Sequence, residues 1–174
     1  MRTRELHIFA LVVVILFLGN PALASEKNIV PSTQIEVTGE AIKHSFILKP
    51  GDLGAMTGAI SKDTIMAGAH QGFIGIHDYR GVLLRDIIEK AKLTKKPKGI
   101  VIIVSAADGF HTAISWGELF NSLAGEHMII AYERDGKPLG NDESFARLII
   151  PTDKYIADRA VKRVNKIEIK YGNK

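Results

Sequence analysis

The sequence predicts an α+β domain built on a mixed β-sheet with flanking helices, and three observations carry that prediction. Strand-type and helix-type patterns do not alternate regularly along the chain, as a repeated βαβ wind would require. No glycine-rich turn joins a strand to a helix, which argues against a doubly wound nucleotide-binding fold. The 174 residues are 46% hydrophobic and 24% charged with mean hydropathy +0.08, the profile of one ordinary globular domain rather than a disordered or fibrous chain.

In chain order, the first 24 residues read as an export signal. Arg2 and Arg4 form a positive region, Ile8 to Leu18 is an unbroken apolar run, and Ala22-Leu23-Ala24 supplies a small-x-small cleavage pattern. The apolar run spans about half of a ~30 Å hydrocarbon core, so no stable membrane anchor is expected. Thr3 separates the two arginines, so the adjacent arginine pair of a twin-arginine signal is absent and export in the unfolded state is expected. Residues 25–174 are then a single domain working in the periplasm or outside the cell.

Gln34 to Val37 and Ile42 to Leu48 read as a hairpin around Thr38-Gly39-Glu40, and Pro50-Gly51-Asp52 ends it, with Asp52 capping a helical turn through Met56. Gly58 to Gly75 holds four glycines and reads as an irregular loop or a bulged strand. From Gly81 the period becomes helical: Leu83, Leu84, Ile87, Ile88 and Ala91 share one face, opposite Arg85, Asp86, Glu89 and Lys90. Ile100 to Val104 is five consecutive β-branched residues, predicting a central strand buried on both faces. Asp108-Gly109 is a turn, residues 110–114 alternate, and Ser115 with Glu118 forms a capping box that opens a second helix at Trp116. Met128 to Tyr132, Leu148 to Ile150 and Ile167 to Tyr171 complete the strands, with Arg134-Asp135-Gly136-Lys137 as a turn and Pro151 as a stop.

The absence of cysteine removes disulfides, thiolate metal sites and cysteine nucleophiles. The net charge of +4 is mild and scattered, so nucleic acid is not expected as a partner. His70, His77 and His111 fall in loop or turn contexts and could gather copper or zinc, although their spacing matches no metal motif and surface histidines are the plainer reading. Asp108 and His111 follow the buried strand at the sheet's end, where a ligand could meet them or where Asp108 could simply close its own turn. Arg147, Lys154, Arg159, Lys162 and Arg163 gather near the C-terminal strands as an anion-holding group or a solvated edge. No serine-protease-like order, phosphate-cradling loop or paired-carboxylate helix is present.

Five segments in this order resemble the molybdopterin-binding domain family of sulfite oxidase-type oxidoreductases, in its short stand-alone form. They are Ile47 to Leu53, Tyr79 to Ile88, Ala107 to Phe110, Ile130 to Leu139, and Ala146 to Pro151 with Val161 to Ile169 after it. The resemblance implies an α+β mixed-sheet fold with the pterin pyrophosphate held by polar loops at one side. It places Arg147 before the family's apolar-Pro strand, Arg159 at a basic position ahead of Val161-Lys162, Asp108 in the Asp-Gly turn, and His70 in the loop that supplies a cysteine ligand in catalytic members. His70, Asp108, His111, Arg147 and Arg159 are therefore the expected ligand-binding residues, and molybdopterin the cofactor the family implies.

The departure is the missing thiolate, which His70 or Gln71 cannot replace as an anionic soft ligand. Molybdenum is accordingly not expected. The unfolded export route points the same way, since enzymes of this class acquire their cofactor before leaving the cytoplasm folded. The leading expectation is a protein that binds a pterin or another anionic small molecule, or serves a redox partner protein or sensory system. A molybdopterin-dependent oxidoreductase with non-cysteine ligation and a histidine-based metal binder are the alternatives.

Overall fold

The computed structural model describes residues 31–172; the export signal expected over residues 1–24 lies outside the described residues. Two five-stranded sheets make up the fold. The first runs in the order β2 (Phe46–Leu48), β1 (Ile35–Thr38), β10 (Val164–Tyr171), β5 (Ile100–Ala106), β6 (His111–Ser115). β1 and β10 are parallel and the other pairs antiparallel, so this sheet is mixed. The second runs β3 (Gly58–Gly68), β4 (Gly72–Leu83), β7 (Ile129–Arg134), β8 (Lys137–Pro138), with β9 (Arg147–Ile149) also paired to β7, all antiparallel. Four short helices, α1 (Pro50–Ala55), α2 (Leu84–Ala91), α3 (Trp116–Phe120) and α4 (Ile156–Arg159), complete the α+β architecture.

Alternation along the strands divides the interior in two. Ile35, Val37, Ile102, Val104, Ile167 and Ile169 from the first sheet meet Leu84, Ile87, Ile88 and Ala91 of α2 and, from the second sheet, Val82, Ile130 and Leu148. The opposite face of the second sheet presents Tyr79, Ile129, Ala131 and Ile149 to Ile156 and Ala160 around α4. The second sheet is thus covered on both sides, which explains why β9 is buried at every position. Gly81 permits the approach of β4 to β7: a Cβ there would lie 2.3 Å from the Ile130 carbonyl oxygen.

Several sequence expectations need correction. Of the two readings of Gly58 to Gly75, the bulged strand holds and the irregular loop does not: the stretch is most of a long hairpin, with register shifts between Ser61 and Thr64 and between Met66 and Ala67. Those bulges break the period of two that would have shown the strands. β1 and β2 do form a hairpin, yet the second strand starts at Phe46, because Ile42 bridges Leu93 and Ala41 donates to the Ile169 carbonyl. Asp52 is not the cap of α1; it sits in the first turn and accepts the Lys49 amide at 2.8 Å. β5 is interior to its sheet, between β10 and β6, but alternate residues are only half-buried rather than covered on both faces. At α3, Ser115 accepts the Glu118 amide as expected, while the Glu118 carboxylate turns away toward Arg159.

Candidate functional site

The arginines singled out in the sequence lie on the segment that runs from the loop at 140–146 to residue 163, and Asp108 is bonded to it. Arg147 opens β9 opposite Ala131 and turns toward the second core, its guanidinium 5.9 Å from the Tyr79 ring centre. Its partner is Glu143, whose side chain is 0% exposed; Arg147 Nη1 donates to Glu143 Oε1, and Arg134 Nη1 lies 2.8 Å from Oε2 as an ion pair. A buried carboxylate survives only with such partners, because losing water costs more than one weak contact returns. Burial also raises the pKa of the Tyr79 hydroxyl, with Arg147 opposing that rise.

Arg163, held at φ 53°, staples this loop to the turn after β5. Its Nη2 donates to Asp108 Oδ2, its Nη1 to the Asp142 carbonyl at 2.7 Å, and its amide to the Glu143 carbonyl at 3.1 Å. Asp108 also accepts the Phe110 amide at 3.1 Å, the local turn bond available to Asp at this position. His111 lies beside it, exposed, with Nδ1 3.1 Å from the Gly109 carbonyl. Lys162 donates to Asp142 at 2.8 Å, and that bond holds the Asp142 carboxyl below its ordinary pKa.

Arg159 belongs to a second group at α4. Its Nη2 donates to Glu118 Oε1 at 2.7 Å and its Nε lies 3.2 Å from Asp153 Oδ2. Burial pushes the Asp153 carboxyl upward against the pull of Arg159. The turn carrying His70 is tied to the same helix, since Asp158 accepts the Ala69 amide at 3.2 Å. The five expected residues therefore fall into two clusters, Asp108, His111 and Arg147 around the 142–143 loop, and His70 with Arg159 at α4.

Four of the five expected cations have carboxylate partners within the fold. Arg147 shares Glu143 with Arg134, Arg159 faces both Glu118 and Asp153, Lys162 faces Asp142 and Arg163 faces Asp108, while Lys154 lies over the Tyr155 ring. The Nε atoms of Arg147 and Arg163 are buried and make no hydrogen bond among the described residues. Glu143 and Tyr79 are buried within the network and Arg134 reaches it from a partly exposed position, yet sequence reasoning missed all three. Glu143 stands in a polar stretch that reads as a solvated turn, and nothing local signals its burial.

The histidines do not gather. His77 Nδ1 lies 2.8 Å from Asp135 Oδ2 beside the β7–β8 turn, His70 sits at the tip of the β3–β4 hairpin, and His111 is on the other sheet. Among the described residues no three His, Asp or Glu side chains are placed to hold a metal ion. Two open clefts of about 400 Å³ flank the β7–β8 hairpin, one lined by Tyr132, Pro138, Leu139, Asn141 and Phe145, the other by Ile60, Lys62, Asp78, Arg80 and Glu133.

Comparison with known proteins supplies the family. Residues 54–173 match the model of the oxidoreductase molybdopterin binding domain. Among solved structures, the chain is similar to the sulfane dehydrogenase SoxCD from Paracoccus pantotrophus, with TM-score 0.58 at 17% identity over 79% of this chain. The chain spans 38% of that longer one, so the likeness concerns the fold. No curated protein matches the sequence.

Proposed function

We propose, from the premise that the chain belongs to the oxidoreductase molybdopterin-binding domain family, that it serves an oxidoreductase or sensory system as a binding or accessory protein. In this reading it has the family fold without a thiolate molybdenum site. Its place of work would be the periplasm or the cell exterior, on the strength of the N-terminal sequence pattern.

The residues present do not fit the family's cofactor. A thiolate-ligated molybdenum needs a cysteine that these 174 residues lack, and His70 stands exposed in the turn where the resemblance expects that ligand. The pyrophosphate of a pterin needs reachable donors, whereas each of these arginines already has a carboxylate of the fold beside it and the unpartnered Nε atoms of Arg147 and Arg163 are buried. That internal pairing of the arginines and Lys162 with carboxylates of the fold is the observation that carries the reading. A guanidinium already neutralised must give up one partner to gain another, so little net affinity for an external anion remains.

A second reading, an anionic small ligand, is favoured by one place only. At the rim, the Lys162–Asp142 pair is half-exposed and could exchange its carboxylate for a ligand at small cost. Calorimetric titration with inorganic pyrophosphate separates the two. The accessory reading predicts no saturable binding below about 1 mM, a ligand worth only about 4 kcal/mol. A micromolar site abolished by Lys162→Ala would replace it with the anion-binding reading.

A further inference from the structure

We propose that β3 is an interface through which two copies of this chain pair, edge to edge, about a two-fold axis. This inference is independent of the cofactor question. β3 ends the second sheet, and among the described residues no strand pairs with its outer edge. Such an edge invites pairing unless something blocks it. Ile60 and Ile65 on this strand are each 57% exposed, and Ile76, the cross-strand neighbour of Ile65, is 55% exposed.

The sequence Ile60-Ser61-Lys62-Asp63-Thr64-Ile65 is complementary to itself when read antiparallel. A two-fold axis between Lys62 and Asp63 sets Ile60 against Ile65 of the copy, Ser61 against Thr64, and Lys62 against Asp63. Residues directly opposed across an antiparallel pair must point to the same face. In a regular strand, Ile60 and Ile65 would lie on opposite faces, because five residues separate them. The bulge between Ser61 and Thr64, with Asp63 at φ 48°, adds the extra residue that brings both isoleucines to the solvent face. It leaves Ser61 and Thr64 together on the inner face and both charges outside. Each opposed pair therefore agrees in face, and the central one is opposite in charge.

A lysine and a bulge on an edge strand are also the devices by which proteins prevent pairing. Here the lysine is followed by the carboxylate that a two-fold copy would need, and the bulge aligns the apolar residues instead of scattering them. An open cleft of about 320 Å³ separates Lys62–Ile65 from residues 151–156. The contact is one strand of six residues, small by the standard of stable interfaces, so a dissociation constant of about 10–500 µM is expected.

Sedimentation velocity of the purified protein from about 5 to 500 µM tests the proposal. The expected result is a monomer–dimer equilibrium weakened at least about tenfold by Ile65→Lys or Ile60→Lys, both at exposed positions that spare the core. Lys62→Glu and Asp63→Lys should each remain monomeric, since each sets like charges in opposition twice. Mixed in equal amounts the two variants should dimerise, because the adjacent pair of carboxylates on one then faces the adjacent pair of ammonium groups on the other. Circular dichroism confirms that each variant is folded. A protein that stays monomeric at about 500 µM, a dimer indifferent to these substitutions, or a mixture that fails to pair would each overturn the proposal.

Discussion

Replacing Glu143 by Gln probes the most buried part of the polar network. The Glu143 side chain is 0% exposed and that of Arg147 7%, so their bond belongs to the interior, where removing one partner costs about 3–5 kcal/mol. Two features pull the value to the lower end. Glutamine keeps the size and one acceptor oxygen for Arg147, and Arg134, with 34% of its side chain exposed, can turn to water. A loss of about 3 kcal/mol follows, which for a chain of this length lowers Tm by about 6–12 °C. Thermal and urea unfolding should be measured beside Asp142→Asn, which breaks the half-exposed pair with Lys162 and should cost no more than about 1 kcal/mol. A Glu143→Gln protein no less stable than the Asp142→Asn control would refute the placement of a charged, structurally essential Glu143 inside the fold.

Other expectations follow from single positions. Gly81→Ala drives a Cβ into the Ile130 carbonyl and should cost about 2 kcal/mol or more, while Gly51→Ala in α1, with open space around it, should be neutral or slightly stabilising by urea titration. Ser115→Ala removes the oxygen that accepts the Glu118 amide and should cost about 1 kcal/mol by the same assay. Lys162 lowers the pKa of Asp142, so that carboxylate's stabilisation is present above the ordinary carboxyl pKa and lost as pH falls through the folded value. Burial raises Asp153, so its contribution is present below the unfolded value and lost as pH rises through the folded one. Unfolding measured across the acid range should therefore show a shallower acid loss in Asp142→Asn, and the opposite change of slope in Asp153→Asn.

How much the sequence disclosed depended on whether the determining contacts were local. The Asp135-Gly136 turn, the Ser115 cap and the α2 amphipathic face each depend on residues within a few positions and appear as expected, except that Gly81 to Leu83, read as the start of that helix, end strand β4. The hairpin of β3 and β4 was legible only as a bulged strand or an irregular loop, because two bulges and several glycines disguise its alternation. α4 has only four helical residues, too few for a period to show. The division into two sheets depends on which strands become neighbours, as when β1 pairs with β10 from the far end of the chain. At the candidate site, the family resemblance picked out Arg147 and Arg159, but not the carboxylates that face them. Glu143 compensates Arg147 from four positions away, whereas Glu118 reaches Arg159 across 41 residues and Asp108 reaches Arg163 across 55.

The most direct test of the proposed function is elemental analysis combined with extraction of oxidised pterin fluorescence, on protein recovered from the periplasm of a host that makes the cofactor. Neither molybdenum nor pterin is expected in stoichiometric amount with folded protein. Stoichiometric molybdenum together with pterin would contradict the accessory role and make this chain an oxidoreductase with non-cysteine ligation.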